Sequence, residues 1–403
     1  MNGTSARLTL LLGAVALGSL SGCIVEQVNR GSGRYLLPET SGEPDVESND
    51  LGARFQWNSL GFVDYDDFSI PLVSPDGTLI AVRAGAPPKW PAILGTPDAE
   101  PTSAAWFRIY EIDETRGVQV RHEQRRPWLL GRATDERGFL VEEPLPDGGR
   151  RIGRVDWKTG EVSWLIDEGF VDAFATISAD GTLAWSRRSI EQPAFDLMVR
   201  RGDGIGTWKL PAKWERSWID PVLSPDGRTL FALRRGDGTV ELGWSRLTDE
   251  SRFKDGISTH GISIRTTPRR VHAMLAPQVG AASPPGRSAR ILFLHPDLGR
   301  LVEWSPRSDL ARPFPRGVIN AAMVDEDQGL ATTAESLLLT RLADGTGRPP
   351  SSLRLTEEPA IPRQRGGSNE DLLLFRPADG RYEILNARLP ETSGVRNLEL
   401  PKS

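Results

Sequence analysis

The sequence predicts an all-β fold of many short antiparallel strands, and three observations carry that expectation. A strand, tight turn, strand module recurs along most of the chain. No long stretch repeats its apolar residues at the helical period. The 403 residues include 41 glycines and 31 prolines, yet apolar runs recur between them, which suits many strands joined by many turns rather than disorder.

The clearest copy of the module is Leu72-Val73-Ser74-Pro75-Asp76-Gly77-Thr78-Leu79-Ile80-Ala81-Val82-Arg83. Two more are Thr176-Ile177-Ser178-Ala179-Asp180-Gly181-Thr182-Leu183-Ala184-Trp185 and Val222-Leu223-Ser224-Pro225-Asp226-Gly227-Arg228-Thr229-Leu230-Phe231-Ala232-Leu233-Arg234. In the turn, proline presets φ, aspartate is tolerated next, and glycine takes the left-handed conformation that closes a type I turn with a bulge. A β-branched residue at Gly77 or Gly227 should therefore be costly. Leu79–Val82 and Leu230–Leu233 are apolar on both faces, as in a strand covered on both sides.

Weaker copies follow at Thr134–Val141, Ile264–Met274, Met323–Thr332 and Gly367–Phe375. Taken together, the turn markers fall near 76, 135, 180, 226, 268, 325 and 369, roughly 42 to 59 residues apart, the length of one four-stranded propeller blade. Second hairpins follow most markers, at Trp106–Ile112 with Gly117–His122, Arg151–Trp157 with Glu161–Ile166, Leu292–His295 with Leu301–Trp304, and Leu372–Arg376 with Tyr382–Leu385. We expect a β-propeller over residues 55–403, with seven blades, or six if the marker near 268 is not a turn.

The Ser-Pro-Asp-Gly repeats resemble the WD-like propeller repeats of the TolB type. The resemblance covers most of the chain beyond the first fifty residues and is carried by the three clear copies, one of which has Ala179 in place of proline. TolB proteins also carry an α/β domain before the propeller, for which the stretch 24–60 is too short and too polar here. The resemblance implies a fold and says little of function.

The first residues point to an address. Arg7 precedes an uncharged apolar run, Leu8 to Leu20, of the length of a secretory signal and too short to span a bilayer. The run ends in Leu20-Ser21-Gly22-Cys23, and Cys23 is the one cysteine of the chain. This resembles the lipobox of bacterial lipoproteins, in which the cysteine is lipidated and becomes the new N-terminus. A lone cysteine forms no internal disulfide, and lipidation would account for it. The resemblance implies a signal peptide over 1–22 and a membrane anchor at Cys23. Ile24 in place of aspartate implies the outer membrane, facing the periplasm. From 23 to 54 the sequence is polar and rich in glycine, proline and acids, and reads as a flexible tether.

Composition excludes some functions. Net charge is −5 and the arginines are spread evenly, which argues against nucleic acid as a partner. There is no Gly-x-Ser-x-Gly elbow for a serine hydrolase: Gly243-Trp244-Ser245-Arg246-Leu247 lacks the last glycine. His122, His260, His272 and His295 have no metal-ligand spacing. Asp64-Tyr65-Asp66-Asp67 and Asp325-Glu326-Asp327 read as solvated turns rather than calcium loops. Arg201-Gly202-Asp203 and Arg235-Gly236-Asp237 read as hairpin turns. Trp208, Trp214 and Trp218 suit either packing between blades or binding at a propeller mouth. Two proline-rich insertions, 85–103 and 277–286, are long enough to be functional. The expectation is a monomeric, non-enzymatic binding or scaffold module of the cell envelope. It would have a protein or peptide partner, no cofactor, no metal and no catalytic residues. The rival is a carbohydrate-active envelope enzyme with its site at the channel mouth.

Overall fold

A serine and an aspartate build the repeated turn. The computed structural model describes residues 34–35, 46–47, 55–64, 71–84, 105–166, 169–248 apart from 203, 205, 213–215, 225 and 237–238, then 263–265, 291–295, 300–305, 310–323 apart from 319, 328–342, 351–365, 368–378 and 381–389. In the first copy the Ser74 hydroxyl donates to the Asp76 carboxylate at 2.5 Å and accepts the Leu79 N–H at 2.9 Å. The same Asp76 oxygen accepts the Thr78 N–H at 3.1 Å, and the Gly77 N–H donates to the Ser74 carbonyl at 2.8 Å. Ser224 and Asp226 repeat this arrangement, and Ser178 and Asp180 repeat most of it. Gly77, Gly181 and Gly227 have φ of 71°, 81° and 65°, the left-handed region the turn requires.

These contacts give the turns a pH dependence. Burial pushes the Asp76 and Asp180 carboxyls up, but the hydrogen bonds from serine and the turn N–H groups outweigh it, and both end lowered. A lowered folded pKa contributes stability above the unfolded value that is lost as pH falls through the folded one. The melting temperature should therefore fall between pH 5 and pH 2, and a Ser74→Ala/Ser178→Ala/Ser224→Ala variant should lose less over that range. Equal acid sensitivity in the two proteins would contradict this account of the turns.

Successive modules form antiparallel sheets. The first sheet contains Leu72–Val73, Leu79–Ala84, Ala105–Asp113 and Gly117–Arg126 in that order. The second has eight strands, from Leu129–Thr134 to Thr207–Leu210. The third runs from Ser217–Leu223 to Ser263–Arg265, the fourth is built on Ile291–His295, Arg300–Ser305 and Leu310–Pro313, and the fifth on Asn320–Met323 to Ser351–Thr356. In the sixth, Ile361–Arg365, Ser368–Ala378 and Arg381–Arg388 are completed by Gln56–Asp64, which pairs antiparallel with Arg381–Arg388. The start of the folded body thus supplies the last strand of its final sheet.

Apolar packing runs from sheet to sheet in a closed cycle. Phe107 and Ile109 of the first sheet meet Phe139 and Val155 of the second. Ala184 and Leu197 meet Leu230 and Ala232 of the third, whose Phe231 and Leu233 meet Val302 and Trp304 of the fourth. Leu292 and Leu301 pack on Ala331 and Leu338 of the fifth, and Leu339 and Leu353 pack on Leu372 and Leu385 of the sixth. Leu373 and Phe375 return to Ile80 and Val82 of the first. A ring of sheets joined face to face, closed by a strand from the other end of the chain, defines the fold. The chain is a β-propeller.

The blade count needs correction. Seven separate blades were expected, whereas five sheets of four or five strands stand apart among the described residues. The remaining modules are hydrogen-bonded into the one eight-stranded sheet. Its two halves are joined where Arg150 pairs in parallel with Val171, and Leu140 and Ile152 pack against Leu183 and Trp185 across the join. No spacing of turn markers reveals such a bridge, because it links the ends of two modules rather than their turns. The marker near 369 also shifts, since Ser368–Ala378 is continuous strand. Those near 268 and 325 lie outside the described residues.

Two pairs of residues from the expected tether add to the rim. Arg34–Tyr35 pairs in parallel with Leu310–Ala311 of the fourth sheet, and Val46–Glu47 with Ser352–Leu353 of the fifth. Edge strands are protected by charge or by cover. Gly117–Arg126, the outer strand of the first sheet, carries Arg121, Glu123, Arg125 and Arg126. Leu310–Pro313 and Ser351–Thr356 each contain a single charged residue, and the leading segment covers them instead. Cys23 and the rest of that segment lie outside the described residues.

Candidate functional site

A buried charge cluster sits where the halves of the eight-stranded sheet meet. Strand Val171–Ile177 brings Asp172 opposite Arg187 of strand Leu183–Arg188. Asp172 is fully buried. One of its oxygens accepts the Trp185 indole N–H at 2.8 Å and the Arg187 Nε–H at 2.7 Å, and the other accepts Arg187 Nη2 at 2.9 Å. Beside it, the Glu142 carboxylate accepts Arg150 Nη1 at 3.0 Å and the Phe174 backbone N–H at 2.7 Å.

Phe174 has φ of 57°, unusual for a residue with a side chain. Its strand bulges between Ala173 and Thr176. Asp220, four residues before Ser224 as Phe174 is before Ser178, has φ of 49° at the matching bulge of the next module. Such backbone costs about 1–3 kcal/mol each and persists only where the surroundings enforce it. For Phe174 the hydrogen bond to Glu142 is one such constraint.

Electrostatics follow from burial. Burial raises the Asp172 carboxyl, opposed by the Arg187 and Trp185 hydrogen bonds and reinforced by the charge of Glu142. Burial lowers the Arg188 guanidinium, and neighbouring Arg150 lowers it further. Both carboxylates are taken up by arginine, indole and backbone donors. An acid–base catalyst needs an oxygen facing its substrate, and these face their own structural partners.

An arginine set between an acid and an aromatic ring recurs around the ring of sheets. Arg151 pairs with Glu143 at 2.7 Å and lies 3.7 Å from the centre of the Trp164 ring. Arg234 pairs with Glu241 at 2.7 Å and lies 5.6 Å from Trp218. Arg376 pairs with Glu383 at 2.9 Å and lies 4.9 Å from Trp57. Each charge is neutralised and its flat face covered, which holds strand ends rigid.

The residues singled out in the sequence scatter. The His122 ring donates from Nε2 to the Lys158 carbonyl, while the side chains of His260, His272 and His295 lie outside the described residues. No group of three metal-ligating side chains occurs among the described residues. Asp64 pairs with Arg108, and Asp66, Asp67 and Asp325–Asp327 lie outside the described residues. Arg201 donates to the carbonyls of Gly227 and Leu247, tying two sheets together. Arg235–Gly236 ends a strand in a hairpin. Trp208 and Trp218 are core residues between the second and third sheets. Trp214 and both long insertions lie outside the described residues. The Asp172–Arg187 pair was missed. Its trace in the sequence is a lone acid within an apolar strand, paired with an Arg-Arg step at the end of the next one.

No family model and no curated protein matches this chain. Among solved structures it is similar to TolB from Acinetobacter baumannii, with 21% identity over 50% of this chain and 45% of that one and a TM-score of 0.32. It is similar to the Cps50 (Swd1) β-propeller domain of Myceliophteria thermophila, with 12% identity, coverage of 82% and 99%, and a TM-score of 0.48. The dihydro-heme d1 dehydrogenase NirN is a third, with 14% identity, coverage of 87% and 77%, and a TM-score of 0.46. The chain thus spans under half the length of that TolB. Likenesses at this level bring no activity, ligand or partner to the chain, and the propeller assignment rests on the sheet order and the closed packing.

Proposed function

We propose that this propeller is a lipid-anchored, non-enzymatic binding or scaffold module of the bacterial cell envelope, held at the outer membrane and facing the periplasm. The observation that supports the non-enzymatic role is the full engagement of Glu142 and Asp172 by structural donors. With their donors in place, neither of these two carboxylates is free to transfer a proton. The anchor is Cys23, followed by ten residues, Ile24 to Gly33, before Arg34 joins the rim. The role needs no metal or cofactor, and the chain acts as a monomer with an envelope protein or peptide as partner.

Cys23→Ser tests the anchor. In a Gram-negative host the wild type should fractionate with the outer membrane and resist high-salt washing, whereas the variant should be soluble with an unchanged circular dichroism spectrum. Membrane retention of the folded variant would remove the lipid anchor from this account. Affinity capture from detergent-solubilised envelopes tests the scaffold role through recovery of a stoichiometric protein partner.

A further inference from the structure

We propose that the leading segment is a displaceable strap, and that a protein partner docks by adding an extended strand, in parallel, to the two sheet edges the strap covers. The inference rests on the scaffold reading and gives the partner a mode of attachment. Arg34 and Tyr35 pair with Leu310 and Ala311, and Val46 and Glu47 pair with Ser352 and Leu353, both in parallel. Strand addition at these edges is therefore already present, carried out by the chain on itself. An extended segment joins a sheet edge mainly through backbone hydrogen bonds, so a segment of another protein can make the same bonds.

The edges are built to receive a strand. Charged side chains are a usual guard of a sheet edge. Arg312 is the single charged residue of Leu310–Pro313, and it is turned to its own sheet. Its Nε–H donates to the Glu303 carboxylate at 2.7 Å, and both side chains are buried. Arg354 is the single charged residue of Ser351–Thr356, and its guanidinium pairs with Glu357 at 3.5 Å. Each charge is matched within its own module and is not left to repel an arriving strand. On the inner side the same two strands are firmly held. Leu310–Pro313 pairs antiparallel along its length with Arg300–Ser305, and Leu353 and Leu355 are buried against the sixth sheet. The strap is the weaker partner, because each of its contacts is two residues long. Parallel pairing is slightly less stable per residue than antiparallel, and segments held by few bonds open first.

The test uses the full lipidated chain in detergent, hydrogen exchange read by mass spectrometry, and a synthetic peptide with the sequence of residues 30–49. Proline offers no N–H to a ladder, so Arg34→Pro/Tyr35→Pro/Val46→Pro/Glu47→Pro should release the strap. Exchange at Leu310–Pro313 and Ser351–Thr356 should become about tenfold faster in this variant. The buried strand Leu337–Arg341 should exchange as in the wild type, the sign of an intact fold. Excess peptide should slow exchange at both edges again. Affinity capture from detergent-solubilised envelopes should recover several times more partner with the variant than with the wild type. Excess peptide should reduce recovery by the wild type, a readout that needs no substitution. Equal exchange in the two proteins, or no protection by the peptide, would overturn the strap. A partner captured equally by wild type and variant, or undiminished in excess peptide, would overturn docking at these edges and leave the scaffold reading standing. Capture of no partner by either protein would remove the scaffold reading, and the docking with it.

Discussion

Asp172→Ala should lower the free energy of unfolding by about 3–5 kcal/mol, the cost of breaking a buried ion pair from one side. The substitution leaves the Trp185 indole N–H and the Arg187 guanidinium without their acceptor inside the eight-stranded sheet. Trp185 is itself almost fully buried and cannot turn to water. A urea titration followed by tryptophan fluorescence reads the change. Arg187→Leu in the same background should recover part of the loss, because it removes the stranded charge. A loss under about 1 kcal/mol would mean that the pair is solvated and does not hold the join. The pH dependence adds a sign test. Burial raises the Asp172 carboxyl, so its contribution is present at low pH and lost as pH rises through the folded value. The turn aspartates run the other way.

Gly138→Ala should cost on the order of 3 kcal/mol, although it adds only a methyl group. A Cβ at Gly138 would lie 2.0 Å from the Val155 carbonyl oxygen and 2.8 Å from its carbon. Both are backbone atoms of the neighbouring strand, fixed by the pairing of Gly138–Pro144 with Arg150–Asp156. The same glycine donates its N–H to Asp135 and accepts the Asp135 N–H through its carbonyl, so it cannot shift without opening the turn. Gly148→Ala is the control, because nothing lies within 4 Å of its Cβ position and only its positive φ resists. Equal melting temperatures for Gly138→Ala and wild type would contradict this packing.

The turns of this fold were legible in the sequence because a turn is a local problem. Asp76, Gly77, Asp226 and Gly227 state their backbone requirements within four residues, and the strands after them, Leu79–Ala84 and Thr229–Gly236, follow from apolar runs. Ring closure was not legible. The pairing of Gln56–Asp64 with Arg381–Arg388 joins segments over three hundred residues apart, and nothing in either strand names its partner. The merging of two modules through Arg150 and Val171 depends on one backbone bridge. The charge cluster was hidden for a related reason. Asp172, Glu142 and Arg187 come from three strands and look like isolated charges until the register places them together. Tryptophans illustrate the opposite case: Trp208 and Trp218 looked eligible for binding, but neighbouring sheets consume them.

The central claim is that this propeller binds and does not catalyse. The most direct measurement is affinity capture of the lipidated chain from detergent-solubilised envelopes. The account predicts a stoichiometric protein partner recovered with the wild type. Turnover of an envelope glycan by the purified chain, abolished by Glu142→Gln in a protein that still folds, would contradict it.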